Sequence, residues 1–160
     1  MTNKKLTGNK NGSQLEILVR TILEDKDYQY IEKNKFIVAT NILEQKLYTI
    51  QLNICESIFS IGDYIHKTNA DFVLYNPFTK ENYLIIECKS QTSAGSTDEK
   101  VVYLNENIKQ KYPYQTLVIL DAPMFKKGAK LWFKEQEKHN SKLAVFLDFS
   151  EFRAWAIKNL

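Results

Sequence analysis

Asp71, in Asn69-Ala70-Asp71, and the pair Glu87 and Lys89, in Leu84-Ile85-Ile86-Glu87-Cys88-Lys89, put two carboxylates and an amine at the ends of two apolar runs. Both runs read as strands. Successive side chains of a strand point to opposite faces, so Glu87 and Lys89 share one face while Cys88 shares the other with Leu84 and Ile86. Two acids that converge can hold Mg2+, which uses few protein oxygens and keeps several waters; the Cys88 backbone carbonyl is a further candidate ligand. Lys89 beside them would orient and activate a water, or neutralise a phosphate. Together these groups suit hydrolysis of a phosphodiester, which needs charge stabilised on a phosphate and a proton taken from water.

An acid-x-lysine triplet at a strand end is common and usually marks no more than the exit of the chain into water. Here the surroundings add weight: an apolar strand runs straight into Glu87, a second strand carries Asp71, and the Gly/Ser stretch Ser93-Ala94-Gly95-Ser96 follows as a loop.

The elements that must position these residues read as follows. Ser13-Gln14-Leu15-Glu16 has the form of a helix capping box, and Leu15, Leu18, Val19 and Ile22 recur at the spacing of one helical stripe, which predicts a helix near 13–26. From Tyr28 to Tyr75 the chain is rich in Ile, Tyr, Phe and Val, and alternation in Ile50-Gln51-Leu52-Asn53-Ile54 predicts several strands. Asn76-Pro77-Phe78-Thr79-Lys80 suits a hairpin turn between Asn69–Tyr75 and Asn82–Lys89. Ser96-Thr97-Asp98-Glu99 opens a helix carrying Val101, Leu104 and Ile108, which Pro113 ends. Thr116–Leu120 reads as a buried strand, Ala129, Trp132, Phe133 and Gln136 as a helix, Leu143–Leu147 as a last strand, and Ser150 as the start of a terminal helix with Phe152 and Trp155. The fold class is therefore α/β, a central mixed sheet flanked by helices.

With 160 residues, 44% hydrophobic and 26% charged, the chain is long enough for one core. Residues 1–12 read as a flexible basic arm with Lys4, Lys5 and Lys10, and 13–160 as a single domain. The net charge of +3 leans mildly toward anionic partners. No apolar stretch reaches the length of a membrane span and no signal-peptide pattern follows Met1, so a cytoplasmic location is expected. Cys55 and Cys88 lack the spacing of a zinc site or disulfide framework and read as free thiols.

Asp71 with Glu87-Cys88-Lys89 resembles the PD-(D/E)XK nuclease superfamily, to which most type II restriction endonucleases belong. The supporting order of helix, strands, motif hairpin, helix and strand covers roughly residues 13 to 133. The resemblance implies a restriction endonuclease-like core, Asp71 and Glu87 as metal ligands, Lys89 as the catalytic lysine, and Glu16 as the first-helix acid that many members add. Gln91 extends the motif to Glu-x-Lys-x-Gln, seen in several branches. The proline that names the family is missing before Asp71 and is variable among members. The expectation that follows is a Mg2+-dependent DNA endonuclease, with Mn2+ substituting, that cuts double-stranded DNA as a homodimer. The alternatives are a structure- or repair-directed nuclease of the same fold, a DNA-binding subunit without activity, and an α/β interaction protein.

Other residues have ordinary explanations. The capping box accounts for Glu16 as well as a metal site does, and it accounts for Glu99. His66 and His139 have no nucleophile pattern nearby, and Trp132, Phe133 and Trp155 read as core. Among the tyrosines, including Tyr112, some are candidates for stacking on bases, although packing explains most.

Overall fold

The computed structural model describes residues 12–90, 97–121 and 125–160. Helix α1 (Gly12–Asp25) is followed by a short strand β1 (Gln29–Tyr30), helix α2 (Lys33–Ile42) and strands β2 (Leu47–Glu56), β3 (Lys67–Tyr75) and β4 (Tyr83–Cys88). Then come α3 (Thr97–Gln110), β5 (Thr116–Ile119), α4 (Lys127–Glu135), a 3-10 turn at Gln136–Lys138, β6 (Leu143–Phe146) and α5 (Phe149–Asn159).

The six strands form one mixed sheet in the order β1-β2-β3-β4-β5-β6. β3 pairs antiparallel with β2 on one side and β4 on the other, as tight turns allow, whereas β1 with β2 and β4, β5 and β6 are parallel and need helical crossovers. Helices cover both faces. One core joins Phe36 of α2, Val101, Leu104 and Ile108 of α3 and Phe133 of α4 to Val73, Ile85, Val118 and Val145 of the sheet. The other joins Leu15, Val19 and Leu23 of α1 and Phe152 and Ala156 of α5 to Phe72, Leu74, Ile86, Leu117 and Phe146. A strand sandwiched this way reads as a continuous apolar run, which is why Thr116–Ile119 is wholly buried.

Three expectations need correction. The stretch from Tyr28 to Tyr75, where several strands and no helix are named, contains α2, whose buried residues are Phe36 and Thr40, four apart on one helical side. Its β-branched Ile37, Val38 and Ile42 are exposed, so composition pointed to strand while the crossover between parallel β1 and β2 required a helix. In α1 the buried stripe is Leu15, Val19 and Leu23, with Leu18 exposed. Trp132 is also exposed, whereas its neighbour Phe133 is fully buried and Trp155 packs against the second core.

Two helix starts differ as well. α1 already begins at Gly12, so Glu16 stands beyond the first turn and is not the N3 residue of a Ser13 cap. α5 is capped by Asp148, whose side chain accepts from Glu151 N at 2.8 Å, and Glu151 Oε2 accepts from Leu147 N at 2.7 Å; Ser150 lies inside the helix. Of the arm expected at 1–12, Gly12 belongs to α1 and residues 1–11 lie outside the described residues, as do the loop and capping serine at 93–96. Among the described residues no helix is long and apolar enough to cross a membrane.

Candidate active site

β3 and β4 pair in the register Phe72 with Ile86 and Tyr75 with Tyr83, so Asp71 and Glu87 emerge at the same end of the ladder. Cys88 N donates to Asp71 Oδ2 at 2.8 Å, tying the two strands together there. On β4, Leu84, Ile86 and Cys88 pack against the α1 side and Ile85 against the α3 side, which places Glu87 and Lys89 on the second of these faces. Lys89 is fixed by its amide, which donates to Ile119 O of β5 at 2.9 Å.

Lys89 Nζ lies 2.7 Å from Glu87 Oε2 and 3.5 Å from Asp71 Oδ2. The three groups therefore meet at one point. Their exposure is graded: the Glu87 side chain is 3% accessible, Asp71 15% and Lys89 35%, so Glu87 forms the floor of the site and Lys89 is the most accessible side chain of the three.

Two neutral donors complete the arrangement. Tyr112, buried in the loop after α3, donates its hydroxyl to Glu87 Oε1 at 2.9 Å. Gln51 of β2 donates its side-chain amide to Asp71 Oδ1 at 3.1 Å. Each carboxylate thus receives a neutral donor on one oxygen and faces Lys89 with the other.

Burial pushes the Glu87 carboxyl up to about 7; Lys89 opposes this and Asp71 reinforces it. Burial by itself would pull the Lys89 ammonium down, but Glu87 and Asp71 outweigh it and hold the group above the ordinary lysine range. Burial likewise raises Tyr112, with Glu87 adding to the effect, so the phenol stays a donor. The Cys88 thiol is raised well above its usual value, by burial first, and remains protonated.

Glu16 is partly buried on α1, on the other side of the sheet end. Burial raises its carboxyl, Asp71 raises it further and Lys89 lowers it, so it feels the charges of the site. Gln91 lies outside the described residues. His66 bonds Ser57 Oγ through Nδ1 at 2.9 Å, which accounts for it structurally.

Among the described residues no group of three or more His, Cys, Asp or Glu side chains is arranged as an ion cage. Asp71 and Glu87 nonetheless suit a hard cation: both are oxygen donors, both aim an oxygen at one ammonium, and Mg2+ needs only one or two protein carboxylates because it retains waters. The Cys88 amide is committed to Asp71 and its thiol is protonated, so only its carbonyl is left as a donor.

Residues 7–160 match the model of a PD-(D/E)XK nuclease superfamily domain. The chain belongs to the PD-(D/E)XK nuclease superfamily. No curated protein and no solved structure gives a significant match. The mixed sheet flanked by helices accords with that membership, which points to phosphodiester hydrolysis as the general activity.

Reading the sequence did not single out Gln51 or assign Tyr112 to the site. As a tyrosine Tyr112 is a candidate for base stacking, but its ring is buried and its hydroxyl is bound to Glu87. Its position before Pro113 gives no local sign of this, because only the packing of the α3–β5 loop brings it to β4.

Proposed function

We propose that this protein is a Mg2+-dependent DNA endonuclease of restriction type, cutting double-stranded DNA in the cytoplasm as a homodimer. The observation that supports this is the meeting of Asp71, Glu87 and Lys89 at one end of the β3–β4 hairpin, in a chain of this superfamily.

In this reading Asp71 and Glu87 hold the metal, with the Cys88 carbonyl as a further ligand and Mn2+ as a substitute. The ion would supply positive charge at the scissile phosphate and lower the pKa of the attacking water. Tyr112 keeps the Glu87 carboxylate from turning away. Lys89, held protonated by its neighbours, stabilises negative charge on the phosphate rather than removing a proton. Glu16 adds an acid from α1, and Gln91 extends the motif with an amide that positions water or touches the DNA backbone. One site cuts one strand, so a two-fold dimer is what places a second site on the other strand of a duplex.

The test is cleavage of supercoiled plasmid with and without Mg2+, beside Lys89→Ala. The wild type should cut only with the metal, and the variant should lose about a thousandfold in rate while keeping its circular dichroism spectrum. Retained cutting would remove Lys89 from the mechanism. Light scattering of the protein with DNA should give a dimer; a monomer that cuts would favour a nicking or structure-directed nuclease. Single-stranded and branched substrates cut in preference to duplex would select the second of these.

A further inference from the structure

Gln51 sits in the middle of β2, yet its φ is +52°, a left-handed conformation that side chains other than glycine and asparagine adopt at a cost. The consequence is visible on both strands. Ile50 packs with the α1-side core while Leu52 and Ile54 pack with the α3-side core, although residues two apart on a regular strand share a face. Across the ladder, Phe72 and Ala70, the partners of Ile50 and Leu52, make the same switch on either side of Asp71. Gln51 and Asp71 are therefore the facing pivots of a bend in two paired strands.

A bend alone would be served best by glycine, which reaches positive φ without penalty. Glutamine adds strain to an exposed position. What it supplies in exchange is the side-chain amide on Asp71 Oδ1 at 3.1 Å, which fixes the rotamer that turns Oδ2 toward Cys88 N and Lys89. Strained backbone kept where the surrounding structure enforces it is a feature of sites that need preorganised groups.

We propose that Gln51 is a positioning residue of the nuclease site, held in a strained conformation so that its amide sets the orientation of Asp71 for the divalent ion. This inference rests on the nuclease reading above and adds to it a residue outside the motif.

The experiment compares wild type, Gln51→Gly and Gln51→Asn by thermal melting, by Mn2+ binding to the DNA-free protein followed by electron paramagnetic resonance, and by steady-state plasmid cleavage. Glycine removes both strain and amide; asparagine tolerates positive φ but is one methylene too short to reach Asp71. Both variants should melt at or above the wild-type temperature, bind Mn2+ about tenfold more weakly and lose about tenfold in kcat, the scale of effect seen for groups that orient metal ligands, with KM for DNA unchanged. Wild-type Mn2+ affinity and kcat in both variants would overturn the inference and leave the nuclease reading intact. So would a rise in KM alone, which would make Gln51 a substrate contact, or a lower melting temperature with unchanged Mn2+ affinity, which would make it a plain structural residue. A wild type that neither binds Mn2+ nor cuts DNA would overturn both.

Discussion

The two ends of the β3–β4 hairpin use the same strands for opposite purposes. At the turn end, neutral groups satisfy one another: Asn76 N donates to Asn82 O at 2.8 Å, Asn82 Nδ2 donates to Asn76 O and Thr79 O, and Phe78 N donates to Asn76 Oδ1. Tyr83 stacks on Tyr114 there, with centroids 4.7 Å apart. At the other end the ladder finishes in two acids and a lysine, one of the acids almost fully buried. Burying charge is a poor way to stabilise a fold, since apolar packing of the same volume commonly does as well or better. The turn end is thus arranged for stability and the open end for a positively charged visitor.

Substitutions at the two ends should therefore separate stability from activity. The largest effect belongs to Glu87→Gln, which should lower plasmid cleavage about a thousandfold, as loss of a metal ligand or charge stabiliser does. Its stability should reveal the cost of the buried charge. Because the folded pKa of Glu87 is raised from 4.5 to about 7, its contribution is fully present below pH 4.5 and is lost as pH rises through 7. The melting temperature of the wild type should thus fall relative to Glu87→Gln between pH 5 and pH 8, by an amount equivalent to about 3 kcal/mol at most. A parallel pair of pH curves would contradict the assigned burial of charge. At the turn end, Asn76→Ala should cost about 1 to 2 kcal/mol in urea unfolding, from the loss of the bond to Phe78 N, and leave cleavage below the melting transition unchanged. If Asn76→Ala impaired cleavage as severely as Glu87→Gln, the division of labour between the ends would fail.

The sequence carried the open end better than the surfaces around it. The alternation Leu84 to Lys89 sorted its own side chains correctly, because a strand buried on both faces still points successive residues apart and an ionisable group among them is conspicuous. What stayed hidden depends on contacts distant in sequence. Tyr112 reaches Glu87 across 25 positions and Gln51 reaches Asp71 across 20, and neither bond leaves a local pattern. The regular alternation around Gln51 even conceals the bend, since a positive φ reverses the faces of the strand without altering the order of apolar and polar residues. α2 is hidden for a related reason: exposed Ile37, Val38 and Ile42 resemble strand residues until the parallel pairing of β1 and β2 demands a crossover. For Glu16, the Ser-x-x-Glu pattern suggests a cap, whereas a helix beginning at Gly12 carries it two positions further in, where it senses Asp71 and Lys89.

The most direct measurement is anomalous diffraction from crystals of the protein soaked in Mn2+. A peak is expected bonded to carboxylate oxygens of both Asp71 and Glu87 at about 2.1 to 2.2 Å, with Lys89 Nζ displaced from between them. A peak elsewhere on the molecule, with Asp71 and Glu87 still paired to Lys89, would contradict it.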